Sequence, residues 1–268
     1  MSSHVFDQAL ALTALPDGTW QGHTSPAYAN IVGPFGGITA AQVLTAVQRH
    51  PQLLGTPLSL TVNYAAALAD GAFVVDARPV RTNRSTQHWS IELRQNEQVV
   101  LTATAVTAAR RDTWSLDDHA LPAVPVPADV PLQSVKLPVA WANNYEFRVI
   151  SGMPPSEWDG SGHDSLTRQW VRDKPERPLD FAALACLADV FYPRVWRRRA
   201  TFVPVGTVSM TVYFHAGPEL LAKTGTGYLL AQAQAQAFRN GFFDQSAQLW
   251  NEAGDLLVTT HQIVYFKE

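Results

Sequence analysis

The clearest alternation of apolar and polar positions in this chain is A-Q-A-Q-A-Q-A at residues 231–237. A period of two is that of a strand with one packed face and one wet face. Stretches 58–67, 71–81, 85–94 and 97–108 also read as strands. Turn formers separate them at Ala69-Asp70-Gly71, Arg81-Thr82-Asn83-Arg84 and Gln95-Asn96-Glu97. Ahead of them, Gly36-Gly37 leads into a helix predicted over 38–50. The second half repeats this order: an apolar helix over 178–191, then strands near 205–216, 226–239, 242–250 and 255–267. Tyr145–Ile150 and Thr167–Arg172 are candidate opening strands of that half, and the loop between them is too polar and Gly/Pro-rich for core.

The halves also echo each other in sequence. S-L-T-V-N-Y at 59–64 matches S-M-T-V-Y-F at 209–214, and 91–104 echoes 247–260. Two echoes in the same order suggest an internal duplication. Between them, Pro122, Pro125, Pro127, Pro131 and Pro138 mark a linker. The expected organisation is an N-terminal unit over 1–112, a linker over 113–140 and a C-terminal unit over 141–268. The fold class is α+β: each helix is wrapped by an antiparallel sheet, and the two units could pair edge strands into one continuous sheet.

Composition narrows the function. With 268 residues, 46% of them hydrophobic, the chain can bury a sizeable core. A net charge of −3 argues against general nucleic-acid or membrane-surface binding. The single cysteine, Cys186, sits in the apolar helix and excludes an intrachain disulfide. The N-terminus has no basic region followed by a long apolar core, and no stretch reaches the length of a membrane span, so a cytoplasmic protein is expected.

Asp189 is the anomaly. It lies in P-L-D-F-A-A-L-A-C-L-A-D-V-F (178–191), a segment apolar on nearly every face. Such a helix is buried all round, and a buried carboxylate needs a partner. Its place towards the helix C-terminus is also unfavourable for negative charge. A structural pairing with an arginine such as Arg194 would explain it; so would catalysis. Asp180 reads as a helix cap.

Three stretches resemble the TesB-like acyl-CoA thioesterases, double hotdog proteins of acyl-lipid metabolism. They are N-I-V-G-P-F-G-G-I-T-A-A-Q (30–42), L-A-C-L-A-D-V-F (184–191), and the strand pair G-T-V-S-M-T-V-Y-F-H (206–215) with L-L-V-T-T-H-Q-I-V-Y (256–265). Ser209-Met210 departs from the Asp-His often found in the family. The resemblance implies a double hotdog that hydrolyses acyl-CoA, with Asp189, Thr207 and Gln262 holding the attacking water. It implies no cofactor, because coenzyme A is part of the substrate.

Thioester hydrolysis needs an activated water and a stabiliser for the oxyanion. A desolvated carboxylate is a stronger base, and Thr207 and Gln262 can fix water without adding charge. Gly36, Gly37 and Phe35 are candidates for the oxyanion and substrate site, because glycine permits close approach to free N–H groups at a helix start. The start of the second-half helix is the alternative. Arg81, Arg84 and Arg194 are candidate contacts for coenzyme A phosphates; the Arg197–Arg199 run reads equally as a solvated loop. The histidines show no metal-ligand spacing. The 38–50 helix holds no carboxylate, so one active site per chain is expected, between the halves. The rivals are a hotdog enoyl-CoA hydratase or dehydratase, which usually carries a histidine one turn after the acid, and a non-catalytic acyl-CoA binding module. A homo-oligomer is expected.

Overall fold

A computed structural model describes residues 3–133 and 139–268. The elements in order are α1 (Val5–Ala9), β1 (Thr13–Ala14), β2 (Trp20–His23), α2 (Gly36–Gln48), β3 (Thr56–Tyr64), β4 (Ala72–Thr82), β5 (Thr86–Gln95) and β6 (Gln98–Ala108). The second half adds β7 (Tyr145–Ser151), β8 (Thr167–Asp173), α3 (Phe181–Leu187), α4 (Arg194–Arg199), β9 (Val205–Phe214), α5 (Pro218–Thr224), β10 (Leu229–Gln234), β11 (Phe238–Arg239), β12 (Phe242–Asn251) and β13 (Leu256–Phe266).

All strands join one antiparallel sheet in the order β1-β2-β4-β5-β6-β3-β9-β13-β12-β10-β8-β7, with β11 on β12. The two wrapped sheets expected from the sequence are thus continuous, and the seam is β3 against β9. There Thr61 stands opposite Thr211, with hydroxyls 3.1 Å apart. These residues are 150 positions apart, the same offset as the sequence echo. The seam is therefore self-complementary: each half offers the same strand to the other about a local twofold axis. Two edges that would otherwise be unpaired are hidden.

Gly37–Val47 of α2 are all buried. A helix with no wet face must satisfy its polar side chains locally. Thr39 and Thr45 donate to the carbonyls of Phe35 and Ala41, at 3.4 and 2.7 Å. The Gln42 amide donates to the carbonyls of Ala9 and His23, at 2.8 and 3.3 Å.

The apolar segment 178–191 is helical only over Phe181–Leu187. Asp180 caps it, accepting from the Ala183 N–H at 2.8 Å. The chain turns after Ala188, and Asp189 stands outside the helix. Apolarity over 14 positions reflects burial there, not continuous helix. The basic run is helical too, as α4, and 226–239 breaks into β10 and β11. The described part of the Pro-rich segment docks on the outer face of the second half instead of hanging free. His119 and Pro125 carbonyls accept from Trp250 and Trp170, at 3.1 and 2.9 Å, and Val130 packs with both rings. Residues 134–138, with Pro138, lie outside the described residues.

Candidate active site

Two glycines bring the halves together. A Cβ on Gly37 would stand 2.5 Å from the Cys186 carbonyl oxygen and 2.6 Å from the Phe35 ring. A Cβ on Gly36 would stand 2.9 Å from Asp189 Oδ2 and 3.3 Å from the Tyr64 hydroxyl. The missing side chains let the start of α2 reach the turn that carries Asp189. This reverses the electrostatic argument from sequence. Asp189 lies beyond the C-terminus of its own helix, but at the N-terminus of α2, where the macrodipole favours an anion. The α2 N-cap, Phe35, supplies no side-chain bond to the free N–H groups, and the Gly37 N–H donates to Asp189.

Gln262, 3% exposed on β13, donates from Nε2 to Asp189 Oδ1 at 2.8 Å. The same nitrogen lies 3.3 Å from Met210 Sδ. Burial pushes the Asp189 carboxyl up to about 7, against the opposing bonds from Gln262 and Gly37. The residue keeps a little accessible surface, so a desolvated base near neutrality still has a route to substrate. Thr207 reaches the same face of the sheet by a bulge. Gln262 faces Met210, Ile263 faces Ser209, then Val264 faces Thr207, with Val208 as the extra residue. Among the described residues no hydrogen bond joins Thr207 to Asp189 or Gln262.

Tyr64, not singled out from sequence, completes this corner. Its hydroxyl donates to the Gly36 carbonyl at 2.9 Å, and burial first, then the nearby Asp189 charge, raises its pKa. One signal was present: the echoed hexapeptides end in Tyr64 and Phe214, so a hydroxyl distinguishes otherwise matching positions.

That difference runs through the equivalent corner of the other half. Where Gly36 at the α2 start meets Tyr64, Phe181 at the α3 start packs edge-on against Phe214, centroids 5.7 Å apart. Where Gln262 faces Met210, the matching ladder position holds Ala105 facing Leu60. The α3 start is also closed electrostatically: Asp180 caps it and pairs with Arg177 at 2.5 Å. Of the two helix starts named as oxyanion candidates, only α2 has an N-cap residue whose side chain makes no cap bond.

The other named residues are placed as follows. Phe35 is buried and stacks on Trp141, centroids 4.1 Å apart, so it fastens the α2 entry to the second half. Arg81 and Arg84 are exposed at the β4–β5 hairpin, beside Ala108 and thus at the Thr56 end of the strands, away from Tyr64. Arg194 is 0% exposed. Its guanidinium donates to the carbonyls of Tyr192 and Ser165 and to Thr167 Oγ1, and burial lowers its pKa to about 10. It presents nothing to a phosphate, and it is not a partner of Asp189. Replacing it by Met strands those acceptors, at a cost of about 3 kcal/mol. Thermal melts are expected to show the loss; an unchanged melting temperature with a raised KM for acyl-CoA would restore it as a ligand contact.

His215 and His261 point away from this corner, bonded to Thr259 at 2.9 Å and Asp244 at 3.2 Å. No group of three or more potential metal ligands occurs among the described residues. No helix among them is long and apolar enough to cross a membrane.

Residues 24–108 match the acyl-CoA thioesterase N-terminal domain, and 117–266 match the acyl-CoA thioesterase C-terminal domain. No curated protein matches the chain. Among solved structures, a conserved protein of unknown function with hot dog fold from Alicyclobacillus acidocaldarius is 48% identical. It covers 100% of this chain and 99% of its own, with a TM-score of 0.94. The acyl-CoA thioesterase II TesB2 of Mycobacterium marinum shares the fold at 17% identity, covering 98% of each chain, with a TM-score of 0.77. The dehydratase domain of PpsC from Mycobacterium tuberculosis, in complex with C12:1-CoA, is more distant: 14% identity, 99% and 100% covered, TM-score 0.55. The chain therefore belongs to the acyl-CoA thioesterase family of N- and C-terminal thioesterase domain pairs, the hotdog family that includes TesB-like enzymes.

Proposed function

We propose that this protein hydrolyses an acyl-CoA thioester to a free acid and coenzyme A, at one site per chain lying between two thioesterase units. The observation that carries this is the buried Asp189–Gln262 pair at the start of α2. Asp189 takes a proton from water as the water oxygen bonds to the thioester carbon. Gln262 holds the carboxyl in place, and Thr207 steadies the water from the same sheet face. The free N–H of Gly36 at the start of α2 receives the oxyanion, beside Gly37, whose own N–H holds Asp189. The C–S bond then breaks, and the proton on Asp189 passes to the coenzyme A thiolate. Holding water in this way contributes several kcal/mol to the barrier reduction.

A hydratase or dehydratase chemistry is favoured less. The groups that meet Asp189 are Gln262, Gly37 and the Gly36–Tyr64 pair, with no histidine among them. The deciding experiment incubates the protein with a panel of acyl-CoAs and a thiol-reactive dye, and with crotonyl-CoA followed for hydration. Free thiol release is expected. Tight binding without thiol makes the protein a binding module, and hydration without thiol makes it a hydratase; either result overturns the proposal.

A further inference from the structure

The proposed hydrolysis leaves one feature of the site unused. The apolar interior of the second half is cut in two. One cluster contains Met210, Val212, Ala247 and Val258; the other contains Val195, Phe243 and Val264, under α4. Between them runs a polar row. Gln262 faces Gln245 directly across the β12–β13 ladder, and Thr260 is the next residue of β13 on that face. Gln262 is bonded to Asp189, whereas the side chain of Gln245, a residue only 3% exposed, forms no hydrogen bond among the described residues. Next to it, Thr260 Oγ1 is buried without a partner. Polar side chains that turn inward and find no partner are rare in native proteins and need a reason.

We propose that Gln245 is a specificity-determining residue, which binds an oxygen substituent on the acyl chain close to the thioester. The substrate class is thereby 3-hydroxyacyl- or 3-oxoacyl-CoA. The inference rests on the thioesterase reading. Residues directly opposite in an antiparallel ladder have Cβ atoms about 5 Å apart. With the reacting carbon beside Asp189 and Gln262, a group two bonds along the acyl chain is on the scale of that step. An amide both donates and accepts, so it serves a hydroxyl or a ketone equally. A site built to bond an oxygen disfavours the analogue that lacks it, because its own polar group is then left unpaired.

The test compares 3-hydroxybutyryl-CoA with butyryl-CoA in the parent protein and in Gln245→Leu, with Gln245→Met as a second variant. The parent is expected to favour the oxygenated substrate at least tenfold in kcat/KM. Both variants should lose that preference through the oxygenated substrate alone, while butyryl-CoA turnover and the melting temperature hold or improve. No preference in the parent, or an equal loss on both substrates, overturns the proposal. Dissociation constants for the same ligands on Asp189→Asn separate the two levels of argument. A binding preference that requires Gln245 stands even without hydrolysis; if the parent hydrolyses both substrates and Asp189→Asn shows no preference, only the Gln245 assignment falls.

Discussion

Asp189→Asn is expected to lower kcat by about three orders of magnitude while raising, not lowering, thermal stability at pH 8. General-base catalysis contributes roughly 10²–10⁴ in rate. Asparagine fills the same space and can still meet Gln262 and Gly37, but cannot take the proton. The stability sign follows from linkage. Burial lifts the folded-state pKa to about 7 from 3.8. The fold therefore favours the neutral acid. That contribution is fully present below about pH 3.8 and is lost as pH rises through about 7. Above that pH the native protein carries a desolvated anion where the variant carries a neutral amide, a difference on the order of 1 kcal/mol once partial exposure and the α2 dipole are allowed for. Activity runs the other way: kcat/KM of the parent should climb with pH through about 7 as the base is uncovered. Thiol-release assays across pH 5–9, with melts at pH 5 and pH 8, check both halves. A variant that keeps near-normal hydrolysis would falsify the assigned base. One that melts lower at pH 8 would mean that Asp189 serves chiefly to cap α2.

Much of the fold was legible because it follows periodicity. Strand bounds such as 98–108 and 256–266 fall within about a residue of those expected, since long antiparallel strands announce themselves by alternation and turn residues. The sequence echo pointed to duplication, and it is the structure that makes the echoed strands the seam, with Thr61 opposite Thr211 on one local axis. What periodicity does not carry is close approach. The segment 178–191 is uniformly apolar because it is uniformly buried, and nothing in it marks the turn at Ala188. Arg194 looked like a surface cation because its acceptors, on Tyr192, Ser165 and Thr167, are backbone carbonyls and a hydroxyl that no charge pattern reveals. The site was only partly legible for the same reason. Asp189 and Gln262 were named, and they touch. Gln245 reads as one polar residue in a half-wet strand, until the register puts it opposite Gln262 on the dry face.

Gly37→Ala is expected to damage fold and function together, whereas Gly36→Ala damages function alone. The added methyl at position 37 meets a backbone oxygen, that of Cys186, at 2.5 Å and the Phe35 ring at 2.6 Å. Neither can yield: Cys186 belongs to the buried α3, and Phe35 is held flat against Trp141. Overpacking against fixed atoms costs about 3 kcal/mol. A shift of even about 1 Å between α2 and the Asp189 turn also costs about 10² in rate. At position 36 the methyl meets the tip of a side chain, Asp189 Oδ2, at 2.9 Å. A carboxylate tip can rotate aside, so folding survives, but the base is turned from its water and Gln262. The melting temperature should therefore drop by several degrees for Gly37→Ala and hardly move for Gly36→Ala, while kcat/KM falls at least tenfold in both. If Gly37→Ala melts like the parent, the start of α2 does not press on α3, and the close approach that delivers Asp189 to the α2 N-terminus is not what shapes this site.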